Sequence, residues 1–134
     1  MANKTVFDTN IWVSYFIKGK FSELVDFVFN SDVEFHRSKE LTTELREVLS
    51  RKKFQKYLSL PLEKYISFYE KLSVLYTIRK EFSGCRDPKD NFLFDLAIQS
   101  GADFLVSGDK DVRDTKIEAP LQVVTLTSFK ELFK

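Results

Sequence analysis

The stretch TVFDTNIWV, residues 5–13, sets the frame for the whole chain. Thr5 to Phe7 is a short β-prone run, and Ile11 to Ile17 continues in apolar residues, which reads as a strand, a turn at Asp8 to Asn10, and a helix. An acid placed directly after an apolar strand is hard to explain by solvation. In parallel α/β sheets the ligand site lies beyond the carboxyl ends of the strands, which makes Asp8 the first candidate, with a cap for the following helix as the competing account.

The same unit recurs downstream. Phe21, Leu24, Val25 and Val28 have helical spacing, and SDVEF (31–35) reads as a strand entered through a polar turn. Ser38 reads as the N-cap of a helix with the apolar stripe Leu41, Leu45, Val48 and Leu49, followed by the basic, aromatic RKKFQKYLSL (51–60) and a helix from Pro61 to about Leu72. Val74 to Ile78 is β-prone, SGCRDPKD (83–90) is a turn-rich loop, and Asn91 to Ser100 is apolar on most faces, as in a helix buried between layers. Gly101 stops that helix, Phe104 to Val106 returns to strand, Leu121 to Leu126 reads as a last strand, and SFKELF (128–133) closes as a short helix. Alternating strands and helices without a repeat or linker predict one domain over residues 1–134, an α/β sandwich around a mainly parallel sheet.

Composition narrows the chemistry. With 43% hydrophobic residues, 14 Phe and only 4 Gly and 3 Pro, the chain is too apolar for disorder. A net charge of +1 provides no whole-molecule attraction to nucleic acid or anionic membrane, so any such contact must use a local patch. Cys85 has no partner for a disulfide, and a lone His36 cannot build a His/Cys zinc site; both are read as structural residues of a protein in a reducing interior. No long apolar run or export signal is seen, which gives a cytoplasmic protein with no membrane segment as the expectation.

Further acids follow the other strands: Asp109 and Asp111 after FLVSG (104–108), and Asp87 and Asp90 in the loop that feeds the Asn91 helix. Glu44 lies about 60 degrees from Leu41 at the border of the apolar stripe, while Glu40 and Glu47 are rotated further out. Singly, Asp90 reads equally well as a helix cap, Asp109 and Asp111 as turn residues and Glu44 as part of an exposed face. Converging carboxylates would repel one another unless a cation held them, and an all-oxygen set suits Mg²⁺ or Mn²⁺ and phosphodiester hydrolysis.

Three segments in order, VFDTNIWVS (6–14), TELREVLSRKKF (43–54) and CRDPKDNFLFDLAIQSGADFLVSGDKDV (85–112), resemble the PIN-domain family, especially its bacterial branch of VapC-like toxin components of toxin–antitoxin systems. The resemblance implies a three-layer α/β/α sandwich with a mainly parallel central sheet and metal-assisted cleavage of single-stranded RNA. It implies Asp8, Glu44, Asp90 and Asp109 as the catalytic acids, with Mg²⁺ or Mn²⁺ held by Asp8, Asp90 and Asp109. Asn10, Ser107, Asp111 and Asp87 take supporting positions. Asp90 is preferred to Asp87 because it opens a packed helix. An antitoxin protein and assembly as a homo-oligomer, a dimer, are the implied partners.

For RNA contact, Arg46, Arg51, Lys52, Lys53 and Lys56 supply a basic surface, and Phe54 and Tyr57 are read either as base-stacking or as core. Trp12 is read as core or as a surface for pairing with another subunit. Two other functions remain open on the sequence. One is a phosphatase or phosphotransferase with Asp8 as nucleophile, weakened by Asn10 where a second aspartate is expected. The other is a non-catalytic RNA-binding module.

Overall fold

The computed structural model describes residues 2–133; Met1 and Lys134, the ends of the expected domain, lie outside the described residues. Five strands, β1 (Asn3–Phe7), β2 (Val33–Arg37), β3 (Ser73–Leu75), β4 (Phe104–Val106) and β5 (Gln122–Val124), form one sheet in the order β3-β2-β1-β4-β5. Every neighbouring pair is parallel, with Thr5 beside Phe35 on one side and Phe104 on the other. The helices α1 (Thr9–Ile17), α2 (Phe21–Asn30), α3 (Lys39–Leu49), α4 (Lys52–Gln55), α5 (Leu62–Leu72), α6 (Asn91–Gln99), α7 (Lys110–Arg113) and α8 (Leu126–Glu131) make the connections.

Two successive residues of β2 show the layers, because adjacent strand side chains point to opposite faces. Phe35 meets Phe7 at 4.7 Å between ring centroids, Trp12 of α1 at 5.0 Å and Phe27 of α2 at 6.3 Å. His36 instead sets Nδ1 2.7 Å from Ser100 Oγ at the end of α6. Helices therefore cover both faces, giving the three-layer α/β/α sandwich. Trp12 is fully buried and packs edge-on against Tyr69 of α5 at 5.0 Å, so the indole is core rather than a subunit surface. Full burial of such side chains contributes about 1.5–3 kcal/mol each, and Phe7, Phe16, Phe27, Phe35 and Phe129 join in this layer.

The boundaries differ from the sequence reading in physically accountable places. Asn10 lies on α1 rather than in a turn, because the helix begins at Thr9. Pro61 precedes α5 as its cap residue instead of opening it. β3 is Ser73–Leu75, not 74–78: Tyr76 N–H gives a final bond to Arg37 O at 2.8 Å, and its ring then folds over His36 at 4.5 Å. β5 stops at Val124 since Thr125 Oγ1 accepts from Ser128 N–H and starts α8, placing Leu126 in the helix. The four-residue helices α4 and α7 have too few turns to leave a periodic signal. Gly101 ends α6 in the left-handed region at φ +71, open to glycine at little cost. Among the described residues no helix is long and apolar enough to cross a membrane.

Candidate metal and nucleic-acid site

The chain builds outward from β1 through β2 to β3, then returns to place β4 and β5 on the other side of β1. The order reverses between β1 and β4, and the carboxyl ends flanking that reversal carry Asp8 and Ser107. The ladder fixes them together: Asp8 N–H donates to Val106 O at 2.9 Å, and Ser107 N–H to Val124 O at 3.0 Å. Ser107 Oγ then donates to Asp8 Oδ2 at 2.7 Å and accepts from Asp109 N–H at 3.0 Å.

Asp8 is only 6% exposed and makes no cap bond to α1, so capping does not account for it. Burial raises its pKa, the Ser107 bond works in the opposite sense, and the charge of Glu44 raises it again; the Thr9 amide favours ionisation and Asp109 opposes it. Thr9 Oγ1, next in the chain, is buried without a hydrogen-bond partner in the protein.

Glu44 arrives on α3, which starts immediately beyond β2 because Ser38 Oγ caps Leu41 N–H at 3.2 Å. Leu41 and Leu45 are fully buried, and Glu44 between them is half-buried, at the border where the stripe placed it. Asp90 ends a single 3-10 turn, Pro88–Asp90, in the cap position of α6, yet its carboxylate makes no cap bond. Its pKa is pushed up to about 6, first by burial and then by Asp8, Asp87, Asp109 and Glu44. Like charge therefore concentrates here, and among the described residues no Lys or Arg forms an ion pair with Asp8, Glu44 or Asp90.

The remaining acids are committed locally. Asp87 is exposed and accepts from Lys89 N–H at 3.0 Å, forming the turn. Asp109 is exposed and caps α7 by accepting from Asp111 N–H at 2.9 Å, which leaves its other oxygen free of that bond. Asp111 faces Arg86 at 3.7 Å, and Asn10 is exposed on the first turn of α1. Among the described residues no three acid, imidazole or thiol groups stand close enough to close on one metal as they are. The donor set is nonetheless all oxygen, and its mutual repulsion is what a divalent cation offsets.

The basic segment behaves unevenly. Arg46 pairs with Glu63, Arg51 lies 3.7 Å from Glu47, and Lys53 and Lys56 lie over the Phe54 and Tyr57 rings at 5.0 and 5.2 Å. Phe54 packs against the core, whereas Tyr57 is 54% exposed. Lys52 is exposed on α4. His36 is held between Ser100 and Glu34 with its pKa lowered by burial, and the half-buried Cys85 thiol is pushed up to about 11, also by burial. Asp95, passed over in the sequence, is buried in α6 and accepts from Glu81 N–H at 3.1 Å, Phe82 N–H at 2.8 Å and Gln99 Nε2 at 3.1 Å. A charge inside the apolar run NFLFDLAIQ (91–99) was its signal.

A strand-end carboxylate cluster on this parallel sheet defines a class. Residues 4–111 match the PIN domain, and the chain belongs to that family, whose members are typically nucleases that generally use divalent metals. It is 28% identical over 113 residues to the uncharacterised protein MJ1680 of Methanocaldococcus jannaschii, covering 81% of this chain and 72% of that one. Its fold is similar, with a TM-score of 0.58 and 14% identity, to a chain in the crystal structure of VapBC2 from Rickettsia felis bound to a DNA fragment from their promoter. That match covers 90% of this chain and 96% of the other.

Proposed function

We propose that the protein is a metal-dependent endoribonuclease in which Asp8, Glu44, Asp90 and Asp109 are the catalytic acids and Asp8, Asp90 and Asp109 hold Mg²⁺ or Mn²⁺. The observation that carries the reading is Asp8, buried at the strand-order reversal and close to other carboxylates, with no Lys or Arg ion-paired to it among the described residues. When bound, the metal would supply charge stabilisation at a phosphoryl group and acidify a water. Ser107 keeps one Asp8 oxygen oriented and leaves the other available, since its bond is to Oδ2 alone. Asp90 makes no cap bond, which leaves its carboxylate to the metal, and the burial and neighbouring acids that push its pKa up to about 6 in the metal-free chain are what a bound cation would offset. Glu44 adds negative charge on the α3 side. Asp87 in the loop before α6, Asn10 on α1 and Asp111 on α7 would take supporting positions, and Lys52 and Lys53 of α4 and Lys56 just after it, with Arg46 and Arg51, would provide a diffuse positive field for RNA.

Single-stranded RNA incubated with the purified protein should be cut in Mg²⁺ or Mn²⁺ and remain intact in EDTA, and Asp8→Asn should lower the rate at least ~100-fold, the usual scale for losing a group that stabilises transition-state charge. Equal cleavage in EDTA would refute the metal chemistry. The reading extends to a toxin neutralised by an antitoxin protein, supported by the fold shared with the VapBC2 chain. Growth arrest on expression, relieved by Asp8→Asn, is its expected sign, and harmless expression of an active enzyme would count against it. We extend the proposal to a cytoplasmic homodimer. Phe29 on α2 and Leu132 just after α8, 76% and 56% exposed, are apolar side chains a subunit contact would cover, and light scattering reads the outcome.

A further inference from the structure

Beside Glu44 the surface opens into a groove of about 440 Å³ lined by Lys39, Glu40, Thr43, Glu47, Lys89 and Phe92. Glu40, Lys89 and Phe92 also line an adjoining hollow of about 320 Å³, so these three stand on the ridge the two openings share. Phe92 differs from most of the phenylalanines. Phe7, Phe16, Phe27, Phe35 and Phe129 sit in a web of ring contacts, whereas the half-buried Phe92 ring has neither an aromatic nor a cationic partner among the described residues. It lies two residues beyond Asp90, on the first turn of α6. Its floor packs against the core, leaving the remainder to the groove.

We infer that Phe92 is the platform on which a base of single-stranded RNA stacks next to the carboxylates. This rests on the nuclease reading of the same site. The wall suits a base better than a run of phosphates, because with Glu44 its three glutamates outnumber its two lysines. A space of roughly 300 Å³ or more accommodates a small organic group. Lys89 and Glu40 have no ion-pair partner among the described residues and offer a donor and an acceptor to the base edge.

The test uses a single-stranded RNA oligonucleotide carrying 2-aminopurine, bound to the Asp8→Asn protein, with Phe92→Leu and Phe92→Trp added in turn; thermal melts check that each folds. Stacking should quench the probe, Phe92→Leu should abolish quenching and weaken binding about 5- to 100-fold, and Phe92→Trp should retain both, given the usual worth of base–aromatic stacking. In the otherwise native enzyme, Phe92→Leu should raise KM more than it lowers kcat. If the native enzyme cleaves RNA but Phe92→Leu leaves quenching and KM unchanged, the stacking role is overturned and the nuclease reading stands. If no RNA is cleaved yet quenching depends on Phe92, the nuclease reading falls and the stacking role stands.

Discussion

Replacing Asp90 by Asn should stabilise the metal-free protein while destroying its proposed activity. In the folded chain the Asp90 carboxyl titrates near 6, against an ordinary value of 3.8, so ionising it at neutral pH works against folding. About two pH units correspond to about 3 kcal/mol as a ceiling, and water at this partly exposed site reduces that to about 1–2 kcal/mol. For a chain of this size the gain is roughly 3–7 °C in melting temperature. Because the folded pKa is raised, the proton is held more tightly by the folded state. The wild-type penalty is absent below pH ~4, grows as pH rises towards 6 and is complete above it. Melts in EDTA at pH 3.5 and pH 8 should therefore show the Asn variant equal to wild type at the lower pH and more stable at the higher. A variant no more stable at pH 8, or an advantage that persists at pH 3.5, would refute the claim that burial, together with crowded negative charge, disfavours the ionised Asp90 carboxyl.

Two further substitutions probe the supports. Ser107→Ala removes a hydrogen bond to a charged group, worth about 1.5–3 kcal/mol, and should raise the Asp8 pKa further in a carboxyl-carbon NMR titration; an unmoved titration would remove Ser107 from its orienting role. Asp95→Ala should destabilise the protein by about 2–3 kcal/mol and speed amide exchange at Glu81 and Phe82, whose N–H groups it frees, whereas unchanged exchange there would show that residues 81–82 are held elsewhere.

Much of this arrangement was legible before any coordinates. Asp8 stood out because an acid that ends an apolar strand has few uses, and Gly101 marked the end of α6 because a positive φ favours glycine. What the sequence left open were choices that turn on side-chain direction. Asp87 and Asp90 share one short loop, but the backbone turn engages the Asp87 carboxylate with Lys89 N–H and leaves that of Asp90 without a cap bond. Asp109 and Asp111 share another, where Asp109 caps α7 and hydrogen-bonds through its own N–H to Ser107, while Asp111 turns to Arg86. The basic run from Arg46 to Lys56 looks uniform in sequence, yet Arg46 on α3 is engaged by Glu63, a partner that spacing does not assign, and Arg51 by Glu47 four residues before it. Phe92 was invisible for a different reason: in a chain with 14 Phe, a half-buried ring without ring partners can be recognised only once the contacts of the buried rings are in place.

The central claim is that these carboxylates converge on a divalent metal. Anomalous diffraction from a crystal soaked in Mn²⁺ tests it most directly. The account predicts a peak with oxygens of Asp8, Asp90 and Asp109 about 2.0–2.3 Å away, reached by side-chain movements that the metal draws in, and no peak in Asp8→Asn. Strong Mn²⁺ peaks elsewhere on the surface, with none between the ends of β1 and β4, would contradict it.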